Sequence, residues 1–199
     1  MTDTPDLDTT QPINGGATYS LSHRVFRIVW GLAWLLLASW TPPPLRNWRR
    51  QLLILFGAKM GVLADVRGSA RVWHPGNLEI GDRALISERV NCYNLNKVVL
   101  ETRALVSQDA VLLGGGHNID SPNFDLITKP IRICEGAWVA AGAVVGAGVT
   151  VHPYAVLGAY SVAFRDIPER MIYVGNPAKM VRQRADWPAE AEASDRQAS

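Results

Sequence analysis

From Met60 onward an aliphatic residue returns at every sixth position, and a small residue follows it four places later. Hexads open at Met60, Val66 and Val72, resume after a two-residue offset at Ile80, Ile86 and Cys92, and after another at Leu100, Val106 and Leu112. Residues 114–132 interrupt the pattern, which then runs unbroken through Ile133, Val139, Val145, Val151, Leu157 and Ala163. The small positions include Ala64, Ala70, Ala84, Ala104, Ala110, Ala137, Ala143 and Ala155. This is neither a helical period nor a simple strand alternation; a fixed six-residue period is the mark of a solenoid. Each hexad predicts one short strand and one turn, and three hexads predict one triangular coil. The aliphatic residue points into the prism and the small one fits the corner. Stacked at ~4.8 Å, each coil pairs its strands with the coil above and below, and about five coils give a prism roughly 25 Å tall. The predicted fold is all-β, a parallel β-helix whose hand the period does not fix.

Ahead of the repeat the pattern changes. Residues 1–19 are polar and predict a disordered tail, as does the Ala/Glu-rich stretch 185–199. Residues 20–58 form a basic, apolar segment of helical character, followed by the β-helix domain over 59–168 and an extension over 169–184. Between Leu21 and Ala64 there are six basic residues and no acidic one. The apolar run from Ile28 to Trp40 ends at Pro42-Pro43-Pro44. As a helix it is only ~20 Å long, short against the ~30 Å hydrocarbon core of a bilayer. Trp30, Trp34, Trp40 and Trp48, set beside arginines, suit an interface with anionic headgroups. The competing expectation is a helix packed on the rest of the protein or on a neighbouring subunit. No A-x-A cleavage site follows the run, which argues against a secretory signal.

Charge and cysteine content narrow the chemistry. A net charge of +2 with no basic stripe and interleaved aromatics does not suit nucleic-acid binding. Cys92 and Cys134 are the only cysteines, sit far apart, and read as reduced thiols of a cytoplasmic protein. With no CxxC pair and four histidines in all, no metal site is expected.

The GGGHN loop at 114–118, GAW at 136–138 and GNPAK at 175–179 carry a resemblance to the hexapeptide-repeat acetyltransferases. FGAKMG at 56–61, NLEIGD at 77–82, YNLNK at 93–97 and SPNF at 121–124 are similar to the colanic-acid-type exopolysaccharide O-acetyltransferases within that family, related in turn to galactoside and maltose acetyltransferases. The likeness spans Leu21 to Arg184. It implies a left-handed β-helix that transfers acetyl from acetyl-CoA to a sugar hydroxyl, directly and without an acyl-enzyme. It also implies a homotrimer with sites between subunits. By position, His117 is the expected general base, in a loop where side chains escape the packed prism. Asn94 is the expected acceptor contact, with a carboxamide that both donates and accepts. Trp138, Ala141 and Ala159 fall where the family meets the pantetheine arm. Arg165, Lys179 and Arg182 fall where it meets the CoA phosphates.

Two positions depart from the family pattern. Asn118 follows the histidine where Asp is usual, which leaves Asp120 or a backbone carbonyl to orient His117. Phe164 replaces a small hydroxyl residue, which removes one expected CoA contact. Pro122 stands where a γ-type carbonic anhydrase places a metal ligand, so that chemistry is excluded. A xenobiotic acetyltransferase and a non-catalytic β-helix scaffold are the alternatives. The cationic N-terminal segment points to an acceptor at the inner face of the membrane, such as a lipid-linked saccharide.

Overall fold

The hexads fold as their period requires. The computed structural model describes residues 19–185; apart from Tyr19 and Ala185, the tails expected at 1–19 and 185–199 lie outside the described residues. Short strands stack into three faces. The first face holds Lys59–Met60, Leu78–Ile80, Val98–Leu100, Ile131–Ile133 and Thr150–Val151, all parallel. The second holds Asp65–Val66, Leu85–Ile86, Leu105–Val106, Trp138–Val139, Val156–Leu157 and Met171–Val174, again parallel. Arg71–Val72, Asn91–Tyr93, Val111–Leu113, Val144–Val145 and Val162–Ala163 make the third. Five coils are complete and a sixth begins where Ile167 bridges to Val151.

The core is the inside of the prism. Ile86, Val106, Leu112, Ile133, Val139, Val145, Val151 and Leu157 are fully buried, as are the corner alanines Ala64, Ala110, Ala137, Ala143 and Ala155. Little room is left where the chain turns beside a similar turn above and below, which explains why the residue four places after each aliphatic one is small, usually Ala and at Val90 and Val149 no larger than valine. Both two-residue offsets fall at the corner after the third face. The first is taken up by a 3-10 turn, Pro75–Asn77.

The N-terminal segment forms two helices, α1 (Leu21–Leu37) and α2 (Arg46–Leu55), joined through a 3-10 turn at Pro43–Leu45. One side of α1 packs on the first coil. Its Trp30 indole N–H donates to the Val72 carbonyl at 2.7 Å, and that of Trp34 reaches the Gly68 and Ala70 carbonyls at 3.0 Å. From α2, the fully buried Arg49 donates to the Val66, Pro42 and Pro43 carbonyls, the Thr41 hydroxyl and the Asp65 carboxylate. Among the described residues no helix is long and apolar enough to cross a membrane.

Two hairpins leave the prism. The interruption is an antiparallel pair, Gly115–His117 with Leu126–Thr128, and the chain rejoins the first face at Ile131, two residues before the break in the hexads closes. The C-terminal extension adds Lys179–Gln183 antiparallel to Met171–Val174, extending the second face.

Candidate active site

The hairpin carrying His117 is anchored on the corner after the third face. Gly114 donates to the Tyr93 carbonyl at 2.9 Å, and Lys129 donates back to the Gly114 carbonyl at 3.2 Å. A Cβ on Gly114 would stand 2.7 Å from the Tyr93 carbonyl oxygen, so only glycine lets the hairpin leave the coil so close to its neighbour. Asn96 secures the other strand, its amide reaching the Thr128 hydroxyl at 3.2 Å.

His117 is exposed at the end of the first hairpin strand, with its ring held on two sides. It stacks on Phe124, centroids 4.8 Å apart and planes 13° off parallel. Its Nδ1 lies 2.7 Å from the Phe124 carbonyl oxygen. A carbonyl only accepts, so Nδ1 carries the proton and, in the neutral ring, Nε2 presents its lone pair outward. The partner that Nδ1 meets is therefore a backbone carbonyl, that of Phe124, and not the Asp120 carboxylate. Phe124 supplies the stack and the acceptor with its own backbone at φ 54°, a left-handed conformation uncommon for a bulky residue. Nothing in the hexad pattern singles out Phe124, because the hairpin that carries it obeys no six-residue period.

Trp138 lies in the fourth coil on the second face, its ring partly exposed and its Nε1 donating to the Ser107 hydroxyl at 2.8 Å. Ser107, one coil below, fixes the indole edge, a contact that spacing alone did not reveal. Ala141 and Ala159 occupy successive coils at the corner between the second and third faces, where the Tyr160 N–H donates to the Ala141 carbonyl at 2.9 Å. Arg165 and Lys179 come together: with Phe164, Tyr173 and Ala178 they line a cleft of about 520 Å³ at the far end of the prism. Arg182 is exposed on the last strand, outside that cleft's lining, and bonds the Gln183 carbonyl.

Asn94 is placed differently from the sequence expectation. It is fully buried, its Oδ1 accepts from the Trp73 and His74 N–H groups at 3.0 Å each, and its Nδ2 donates to the His74 carbonyl at 2.7 Å. The carboxamide is spent on the preceding coil, and we assign it to holding that corner in place of an acceptor contact. No nucleophilic thiol is offered either. Burial pushes the Cys92 thiol up to about 12 and that of Cys134 to about 11, and both cysteines are free. Among the described residues no group of three His, Cys, Asp or Glu side chains is placed to hold a metal.

Comparison with known proteins bears on this geometry. No family model matches the chain. A putative colanic acid biosynthesis acetyltransferase of Escherichia coli (strain K12), WcaF, is 34% identical over 158 residues, covering 79% of this chain and 87% of that protein. This chain belongs to the hexapeptide-repeat acetyltransferases. Solved structures agree in fold. A hexapeptide-repeat-containing acetyltransferase from Vibrio cholerae O1 biovar eltor, in complex with acetyl coenzyme A, superposes with a TM-score of 0.76 at 21% identity, covering 85% of this chain and 93% of that one. A galactoside acetyltransferase in complex with coenzyme A gives 0.76 at 20% identity, covering 85% and 86%. The prism is thus the left-handed β-helix of this family.

In a hexapeptide-repeat acetyltransferase the placement of the candidates around the prism becomes informative. His117 leaves the corner between the third and first faces, Ala141 and Ala159 line the corner between the second and third, and Trp138 lies on the second face itself. A single chain sets the histidine and the two alanines on different edges.

Proposed function

We propose that this acetyltransferase moves acetyl from acetyl-CoA to a sugar hydroxyl, with His117 as general base and the reaction centre completed by a neighbouring subunit of a homotrimer. The observation that carries the reading is the His117 ring: locked by the Phe124 stack and the Nδ1–H to carbonyl bond, it offers an outward Nε2 lone pair. A hydroxyl is a weak nucleophile until a base takes its proton as it attacks. Nε2 accepts that proton while the hydroxyl oxygen bonds to the thioester carbonyl carbon. The C–S bond then breaks, and the proton held on Nε2 passes to the departing thiolate. The Phe124 carbonyl stabilises the imidazolium through the same Nδ1–H bond, as the third member of a catalytic triad does. The two cysteines, buried and held as thiols, supply no competing acyl carrier, which supports direct transfer.

For the donor, Arg165 and Lys179 bring two cations to one cleft of suitable size for a phosphate-bearing group. Trp138, Ala141 and Ala159 offer an indole and a groove of small residues for the pantetheine arm, and Arg182 adds a cation on the adjoining strand. A coenzyme A donor puts the reaction in the cytoplasm. The similarity to a colanic acid biosynthesis acetyltransferase favours an acceptor from exopolysaccharide assembly, a lipid-linked saccharide met at the inner face of the membrane. Neither a xenobiotic substrate nor a scaffold role is favoured by any feature of the site.

The test is thiol release from acetyl-CoA with a panel of sugar acceptors. His117→Ala is expected to lower turnover by ~10²–10⁴, the usual loss on removing a general base, with coenzyme A binding retained. A variant keeping more than about a tenth of wild-type turnover would return His117 to a role in the hairpin turn.

A further inference from the structure

A stripe along the side of α1 that faces away from the prism is wholly aliphatic. At 100° per residue, Leu21, Val25, Ile28, Leu32, Leu35 and Leu36 fall within a roughly 100° arc. They are between 51% and 72% exposed. The opposite side already carries Trp30 and Trp34, whose indoles are bonded to the first coil. This helix therefore has two apolar sides, and only one of them serves the fold. Two further indoles extend the outward side at the end of the helix. Trp40 and Trp48 are 70% and 49% exposed, and their N–H groups are satisfied by the Leu36 and Leu37 carbonyls at 2.8 and 2.7 Å. Rings whose donors are already satisfied within the protein leave no polar group to be desolvated on entering an apolar phase. An exposed apolar stripe of this kind marks a docking surface.

We propose that this face of α1, with Trp40 and Trp48, docks the enzyme on the surface of an anionic lipid bilayer, the helix lying in the interface. The charge around it selects the occupant. Arg24, Arg27 and Arg46 are exposed, Arg27 with its guanidinium 4.0 Å over the Trp73 ring, and the segment from Leu21 to Ala64 has no acidic residue. Packing this face against the same face of another copy would bring the same arginines together with no carboxylate of the segment to meet them. A surface of anionic headgroups complements them. At 17 residues α1 is ~25 Å long, too short to span and suited to lie flat with its aliphatic side sunk ~5–10 Å. The docking holds whichever hydroxyl is acetylated, and its test is separate from activity.

The experiment is co-sedimentation of the full-length protein with phosphatidylcholine vesicles, with and without phosphatidylglycerol. Binding to the phosphatidylglycerol vesicles is expected, weakened about fivefold for each of Arg24→Gln and Arg46→Gln and at raised salt. The double variant Ile28→Glu/Leu32→Glu alters two solvent-exposed positions, so it should fold as the parent by circular dichroism and lose vesicle binding. Tryptophan emission should shift to the blue on binding, less so in Trp40→Ala. Absence of binding at low salt, or equal binding by the double variant, would overturn the proposal. So would a double variant whose only change is its oligomeric state, because the face would then be an interface between copies.

Discussion

Asn94 and His117 belong to successive coils at one corner of the prism, yet their side chains have opposite fates. His117 stands in the break of the six-residue period, and that position alone marked it as a residue released from packing. Asn94 lies inside the hexad that opens at Cys92, at a position that reads the same whether its carboxamide faces a ligand or a backbone. What decides is the chain twenty residues earlier, at Trp73 and His74, and spacing along the sequence does not show which atoms that coil leaves unpaired. Asn94→Ala is therefore expected to cost about 2–3 kcal/mol of stability, because it strands buried backbone donors and an acceptor. Chemical denaturation would measure the loss, and the folded fraction should keep its KM for the sugar. Unchanged stability with a raised sugar KM would restore Asn94 to the acceptor site. Phe124 is a further case: its role comes from a stack and a carbonyl made seven residues from His117 across a hairpin turn, a contact no local pattern encodes.

At the scale of elements, the strands were legible because burial inside a three-sided prism imposes a period that chance does not sustain over a hundred residues. The corners were not, and the reason is conformational. Leu63, Arg83, Arg103, Tyr154 and Arg170 at one corner, and Arg89, Asp109 and Tyr160 at the next, adopt left-handed backbone with φ of 55–61°. At most of these the N–H donates to a carbonyl one coil below, as from Arg83 to Val62 and from Arg103 to Asp82 at 2.9 Å each. That repeated bond offsets a strain that glycine would avoid, so the sequence shows glycine only at some corners. Gly142 is one: its φ is 65°, and a Cβ would meet the Tyr160 ring at 2.5 Å. The helical segment was legible in kind, but its attachment was not: beside the Trp30 and Trp34 indoles of α1, it is made by one fully buried guanidinium in α2. Arg49→Ala leaves Asp65 without its closest cation and several buried acceptors unserved, and is expected to cost about 3–5 kcal/mol. Arg49→Lys should recover little of it, because an ammonium cannot match the planar set of donors. The check is the denaturation midpoint, together with protease sensitivity of residues 20–58; a loss below about 1 kcal/mol would mean that the two helices are not held through this residue.

At the scale of the whole molecule, the distribution of candidates over separate edges sets the last prediction. The histidine hairpin leaves one corner, while Ala141 and Ala159 line another, with a full face of the prism between them. If each reaction centre takes His117 from one chain and the small-residue groove from its neighbour, two variants that are each inactive will complement. His117→Ala removes the base and leaves the groove; Ala159→Trp fills an exposed groove position and leaves the base. In a trimer assembled at random from equal amounts of both, a centre is intact when its base comes from an Ala159→Trp chain and its groove from a His117→Ala chain. Each choice has even odds, so about a quarter of the wild-type activity should return. Co-expression of the two chains with distinct tags, tandem purification and a thiol-release assay would measure it, with light scattering to establish the three-chain assembly. Activity no greater than that of the variants alone would mean that each chain carries a whole centre. The His117 hairpin would then have to fold across the third face of its own prism toward Ala159.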